Sequence, residues 1–245
     1  MYMEGKNMSI YIIGDLHLAL STDKPMDIFG SNWKNHAEKI KKDWISKVKK
    51  EDLVILPGDF CWSTYLEETY KEFDYLKSLP GKKLLLKGNH DYWWTTLNKM
   101  RNFLKKNNYE NIDFIYNNAY VFEEYIITGT RGWGTVQNSE DEKILNRELA
   151  RLELSLSEAN KINKGLENKK EIITFIHYPP ITNINNVDEN KFLELMNKYN
   201  VKRCFFAHLH GASINDKIEG NVNNIELKLV SADGLDFKLL KLEEN

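Results

Sequence analysis

Short apolar runs, each halted by glycine, proline or a polar residue, recur along the chain. Residues 9–13 (SIYII) stop at Gly14-Asp15, residues 53–56 (LVIL) at Pro57-Gly58-Asp59, and residues 83–86 (KLLL) before Gly88-Asn89-His90-Asp91. Residues 124–128 (EYIIT) stop at Gly129, residues 172–176 (IITFI) at His177-Tyr178-Pro179-Pro180, and residues 203–206 (RCFF) at Ala207-His208. Runs of this length with such boundaries predict buried strands. Residues 227–230 and 237–240 predict a closing hairpin, and residues 183–190 and 220–224 predict surface loops.

Helical periods fill the intervals. Trp33, Ala37, Ile40, Trp44 and Val48 recur at three- and four-residue steps, as do Leu145, Leu149, Leu152, Leu156, Ala159 and Ile162. Each set forms one apolar stripe facing a core. Residues 95–106 and 189–199 predict two further, weaker helices. Strands alternating with helices predict an α/β fold with mostly parallel pairing in the first half. The chain of 245 residues shows no fixed repeat and no clear linker, so one domain spanning 1–245 is expected.

Composition narrows the picture little. Thirty-four basic residues oppose thirty-six acidic ones, leaving a net charge of -2, so no basic excess points to nucleic acid. Cys61 and Cys204 have no metal-finger spacing and read as reduced thiols, Cys61 as a small packed residue. No apolar leader and no membrane-spanning run is visible, so a cytoplasmic location with no membrane partner is expected.

The chemistry lies where the strands stop. Read in order, the stops supply Asp15-x-His17, Gly58-Asp59, Gly88-Asn89-His90-Asp91, His177 and His208-x-His210, which include five of the six histidines. In α/β sheets, ligands bind beyond the carboxyl ends of strands, so these distant residues can converge. Histidine and carboxylate are ligands that suit borderline divalent metals. A lone Asp-x-His or Gly-Asp is weak evidence; the ordered conjunction carries the argument.

In that order, the blocks resemble the calcineurin-like metallophosphoesterases, from residue 15 to residue 210. Ala207 is the one visible departure, standing where the family usually has glycine. The resemblance implies a four-layer sandwich of two mixed β-sheets flanked by helices. It assigns Asp15, His17 and His210 to one metal, and Asn89, His177 and His208 to a second. Asp59 bridges the two, and His90 faces the substrate phosphate together with Asn89.

Elementary chemistry is consistent with those roles. Two dications close together need a shared anion such as Asp59, and together they clamp the oxygens of an in-line displacement. Water held by the pair loses a proton near neutral pH, so the expected reaction is attack of a bridging hydroxide on a phosphodiester or a small-molecule monoester. Asp59 and His90 are the catalytic candidates, with His90 as acid or as a clamp on phosphoryl oxygen. Arg131 is the candidate cation for a doubly charged monoester.

Manganese, iron or zinc would suit the ligand set. The expected partner is a small-molecule phosphate ester, and the oligomeric state stays open. The alternative is a non-enzymatic, metal-bound scaffold of the same fold that binds a partner protein. Asp91 is expected either to orient His90 or to cap the helix near Thr95. His36 is expected at the surface or partly packed. Trp62, Tyr92, Trp93, Trp94, Trp133 and Tyr178 crowd the motif loops, either as core or as a wall beside the metals.

Overall fold

The computed structural model describes residues 8–134 and 136–243. Eleven strands among them form two sheets. The first sheet holds β1 (Ile10–Ile12), β2 (Leu53–Pro57), β3 (Lys82–Leu86), β4 (Ile112–Phe114) and β11 (Leu240–Lys241), in the order β11-β1-β2-β3-β4. The second holds β5 (Tyr120–Phe122), β6 (Tyr125–Thr130), β7 (Glu171–Ile176), β8 (Arg203–Phe206), β9 (Gly220–Val222) and β10 (Ile225–Leu229), in the order β5-β6-β7-β8-β10-β9. Neighbours are parallel except at the edges, where β11, β5 and β9 run antiparallel.

Period-two alternation explains the stacking. Ile10, Ile12, Leu53, Ile55, Leu84 and Leu86 from the first sheet meet Ile127, Ile173, Phe175 and Phe205 from the second in one inner layer. The intervening residues point outward, and helices cover them. Tyr11, Val54, Leu56 and Leu85 pack beneath α1 (His36–Lys47), α2 (Tyr70–Ser78) and α3 (Leu97–Lys106). Ile126, Ile172, Cys204 and Leu227 pack beneath α4 (Ser139–Gly165) and α5 (Lys191–Lys198). The expected four layers of helix, sheet, sheet and helix are all present. Because both faces of each central strand are buried, the strands read as continuous apolar runs.

Three expectations change. The closing hairpin does not form: β10 joins β8 and β9 in the second sheet, whereas β11 crosses to pair with β1 in the first. Residues 220–222 are strand β9 instead of loop, because the paired asparagines Asn223 and Asn224 take positive φ and turn the chain back into β10. His36 is buried, with Nδ1 3.1 Å from the Trp33 carbonyl oxygen and its ring edge-on to the Trp33 indole. Residues 184–189 form an exposed 3-10 segment in the predicted loop. No helix among the described residues is long and apolar enough to cross a membrane.

Candidate metal centre

The carboxyl ends of both sheets meet at one place. The Gly14 amide donates to the Val230 carbonyl at 2.7 Å, so the chain leaving β1 is joined to the chain leaving β10. Asp15 and His17 follow on that segment, held by amide bonds to the Gly58 and Asp59 carbonyls at 3.0 Å each. The first sheet therefore delivers Asp15, His17, Asp59, Asn89 and His90, and the second delivers His177, His208 and His210.

Two ligand groups result. Asp15, His17 and His210 present ligand atoms within 4.8 Å of one another, and Asp59, His177 and His208 do the same. Asp59 Oδ2 lies 3.4 Å from His177 Nε2 and 3.7 Å from His17 Nε2, between the groups. Asn89 Oδ1 lies 2.7 Å from His177 Nε2, beside the second group.

The backbone is strained where the candidate ligands stand. Asp15, His17, Asp59 and His208 all adopt positive φ, at 57°, 43°, 51° and 74°. Non-glycine residues in this region cost about 1–3 kcal/mol each and persist only when their surroundings enforce them. One enforcing element is Asp91, which is fully buried. Its carboxylate accepts the amides of Gly88, Asp59 and Phe60 at 2.7–3.0 Å, and the Trp93 indole N–H at 3.0 Å. Asp91 thus ties the Gly58-Asp59 loop to the Gly88-Asn89 loop. It does not cap α3, whose cap is Thr96, accepting the Lys99 amide. Gly88 is required by the same closeness: a Cβ there would collide with the Asp59 carboxylate and amide. Ala207 is tolerated because it faces Gly14, which has no side chain to meet its methyl group.

A carboxylate missed in the sequence holds His210. Asp233 Oδ1 lies 2.7 Å from His210 Nδ1, which turns Nε2 toward the centre. The signal was available, since Asp233 follows the β10 run as the candidate ligands follow theirs. His177 is oriented by the Pro57 carbonyl, 3.1 Å from its Nδ1.

Burial pushes His17 and His208 down to about 4, which leaves them neutral at pH 7. Burial also opposes charge on His177 and His210, but Asp59 and Asp15 outweigh it and raise them to about 9 and about 10. Asp59 is buried too, yet His177 and His17 hold it below the usual carboxylate range.

The donor set fits divalent ions. His17 Nε2 and His210 Nε2 face each other at 3.3 Å, and Asp15 Oδ1 is buried without a hydrogen-bond partner. Without an ion, protons on His177 and His210 offset the buried Asp15 and Asp59 carboxylates, and ions bound here would take the place of those protons.

His90 stands at the edge of the centre. Its amide donates to Asp59 Oδ1 at 2.7 Å, and its ring packs against Trp62 at 4.4 Å between centroids. The predicted aromatics divide. Trp93 and Trp94 belong to the core under the first sheet, whereas Tyr178 packs on His208 at 4.1 Å and on Trp133 at 5.3 Å. Tyr92 is exposed. Cys61 is fully buried, as its packed reading requires.

Arg131 pairs with the fully buried Glu148 of α4 at 3.4 Å and lies over the Trp133 ring. A second cation had no motif to announce it. Lys24 Nζ sits 3.1 Å above the Trp62 ring and makes no ion pair among the described residues.

Comparison with known proteins agrees with this geometry. The calcineurin-like phosphoesterase family model matches residues 8–212. No curated protein matches the chain. Among solved structures, a phosphopantetheinyl hydrolase from Mycobacterium tuberculosis superposes with a TM-score of 0.57 at 14% identity, over 97% of this chain and 96% of that one. A protein of unknown function from Aquifex aeolicus superposes with a TM-score of 0.51 at 19% identity, over 96% of both chains. At such identities these likenesses show a shared fold. The family model spans every residue of both candidate groups, and the chain belongs to the calcineurin-like phosphoesterase family, with residues that could hold the metal of a metal-dependent phosphoesterase.

Proposed function

We propose that this chain hydrolyses phosphate esters at a pair of divalent ions. Asp15, His17 and His210 would hold the first, and Asn89, His177 and His208 would hold the second. Asp59 would be shared between them. The observation that carries this reading is the position of Asp59 Oδ2, within 3.7 Å of a histidine nitrogen from each group. Manganese, iron or zinc would suit the donor set, and two such ions would supply an activated water and a clamp on phosphoryl oxygens at neutral pH.

The side chains perform the remaining tasks. His90 faces the phosphate from beside the pair, as a clamp on phosphoryl oxygen or, when protonated, as the acid for the departing oxygen. The Asp59 carboxylate fixes the His90 amide, so nucleophile site and acid move as one unit. Asn89 presents an amide to both ion and phosphate. Arg131 borders the second group through Trp133 and Tyr178, with its charge offset by Glu148. Lys24, over the Trp62 ring that packs on His90, is the second cation available to meet a doubly charged monoester.

The test is hydrolysis of bis-p-nitrophenyl phosphate and p-nitrophenyl phosphate by metal-stripped protein, with manganese, zinc, iron(II) or nickel added back. Restored turnover is expected, and the preferred ester identifies the substrate as diester or monoester. Absence of turnover with every metal overturns the proposal.

A further inference from the structure

A cavity of ≈330 Å³ opens beside the first ligand group. Its walls are Met26, Phe29, Trp33 and Trp62, and it is bounded as well by His17, His90 and His210. The four apolar walls come from two places. Met26, Phe29 and Trp33 lie on the short helical turns of residues 26–29 and 31–33, and Trp62 follows Asp59. The Trp62 indole N–H donates to the Met26 sulfur at 3.2 Å, which joins the two walls. Trp62 also stacks on His17, with centroids 4.9 Å apart and rings inclined by 22°.

Two features separate this cavity from ordinary core. It is open, with Phe29 58% exposed and Ile28 beside it 69% exposed, so apolar surface is presented to water next to a charged centre. Its boundary is shared with the groups that face the phosphate. A phosphate ester seated at the metal centre would have this cavity beside it, because His17, His90 and His210 border both. Apolar pockets of roughly this size with a few convergent polar groups are typical of small-molecule sites.

We infer that this cavity binds an apolar ester arm of the substrate, a short alkyl or aryl group carried on the bound phosphate. This rests on the proposed hydrolase reading and adds a substrate class to it. The arm lies among Met26, Phe29, Trp33 and Trp62, away from solvent. Lys24, over the Trp62 ring, supplies a positive charge near the phosphate end. A compact polar arm gains nothing from these walls.

The experiment measures binding and turnover separately. Calorimetry of methyl-, butyl- and phenylphosphonate on manganese-loaded protein gives affinities without chemistry. Turnover of methyl and butyl p-nitrophenyl phosphate gives kcat/KM. Each buried methylene is worth about fourfold in affinity, so butyl should exceed methyl by tenfold or more. Ala212→Phe, at an exposed wall position, should fill the cavity and remove that preference while methylphosphonate affinity is kept. Phe29→Ala should weaken the preference without filling the space. Equal affinities for methyl and butyl, or a preference that survives Ala212→Phe, would overturn the inference. If esters are cleaved with equal kcat/KM whatever the arm, the pocket fails and the hydrolase stands. If nothing is cleaved but the binding preference and its loss in Ala212→Phe are seen, the pocket stands and the hydrolase fails.

Discussion

At the scale of single residues, the candidate ligands are held by Asp233 and Asp91, carboxylates that would not themselves touch an ion. Asp233 aims His210, and its removal should loosen the first ion. Asp233→Ala is expected to lower metal affinity or activity by about 10–100-fold, the usual effect of losing a carboxylate behind a ligating histidine, with Asp233→Asn recovering part. Competition with a chelating dye measures it, and an unchanged affinity in Asp233→Ala would remove Asp233 from the account. Gly88→Ala places a methyl group against the Asp59 carboxylate, so turnover should fall more than a hundredfold, with a lower unfolding midpoint. Normal turnover in that variant would mean the loops are looser than the Asp91 bonds imply. The candidate ligands were legible in the sequence because each follows an apolar run. Lys24 was not legible, because a lysine in a polar stretch carries no spacing signal. Nor was the role of Asp91, since a carboxylate that accepts backbone amides from two loops has no one-dimensional pattern.

At the scale of elements, legibility followed burial. The central strands were readable because both their faces are covered. The edge strands β4, β5 and β9 were not, being three residues each with exposed or half-exposed positions. Helix α2 escaped because Phe73 and Leu76 are its only buried apolar residues, and its third buried position is Glu72, which accepts the Ser21 amide and hydroxyl. Within β3, Lys83 carries the largest mismatch between side chain and site. It is 1% exposed, its ammonium donates to the Leu79 carbonyl, and burial pushes it down to about 7. Between about pH 7 and the ordinary lysine value of 10.5, the unfolded chain binds more protons than the folded one. Unfolding free energy from this group therefore rises with pH across that window, by up to about 1.4 kcal/mol per unit. Lys83→Met should abolish that slope and stabilise the fold at pH 7 by about 1–4 kcal/mol. Urea titrations from pH 7 to pH 10 check both, and a destabilised variant with the slope intact would contradict them.

At the scale of the whole molecule, the α/β class and the order of blocks were legible, but the crossing of the chain between sheets was not. Local pattern cannot say that residues after β10 return to β1, because that pairing is decided by the shared inner layer. This crossing matters, since the centre is assembled from both sheets and no single element contains it. Ions that bind only the folded chain should therefore stabilise the entire sandwich. At a hundredfold excess over Kd, one site adds about 2.7 kcal/mol. A chelator should lower the thermal midpoint by roughly 5–10 °C for a chain of this size, and calorimetry with and without it would reveal an unaffected midpoint if the centre does not hold metal.

The central claim is that two ions share Asp59 and act together. It is tested most directly by titrating metal-stripped protein with manganese while recording bound metal and hydrolysis of bis-p-nitrophenyl phosphate in the same samples, for the native chain and for Asp59→Asn. Two ions should bind per native chain, with turnover appearing as the second site fills, and Asp59→Asn should lose at least a thousandfold in turnover, about 4 kcal/mol of transition-state stabilisation. Full turnover with a single ion bound, or native-like turnover in Asp59→Asn, would contradict the account.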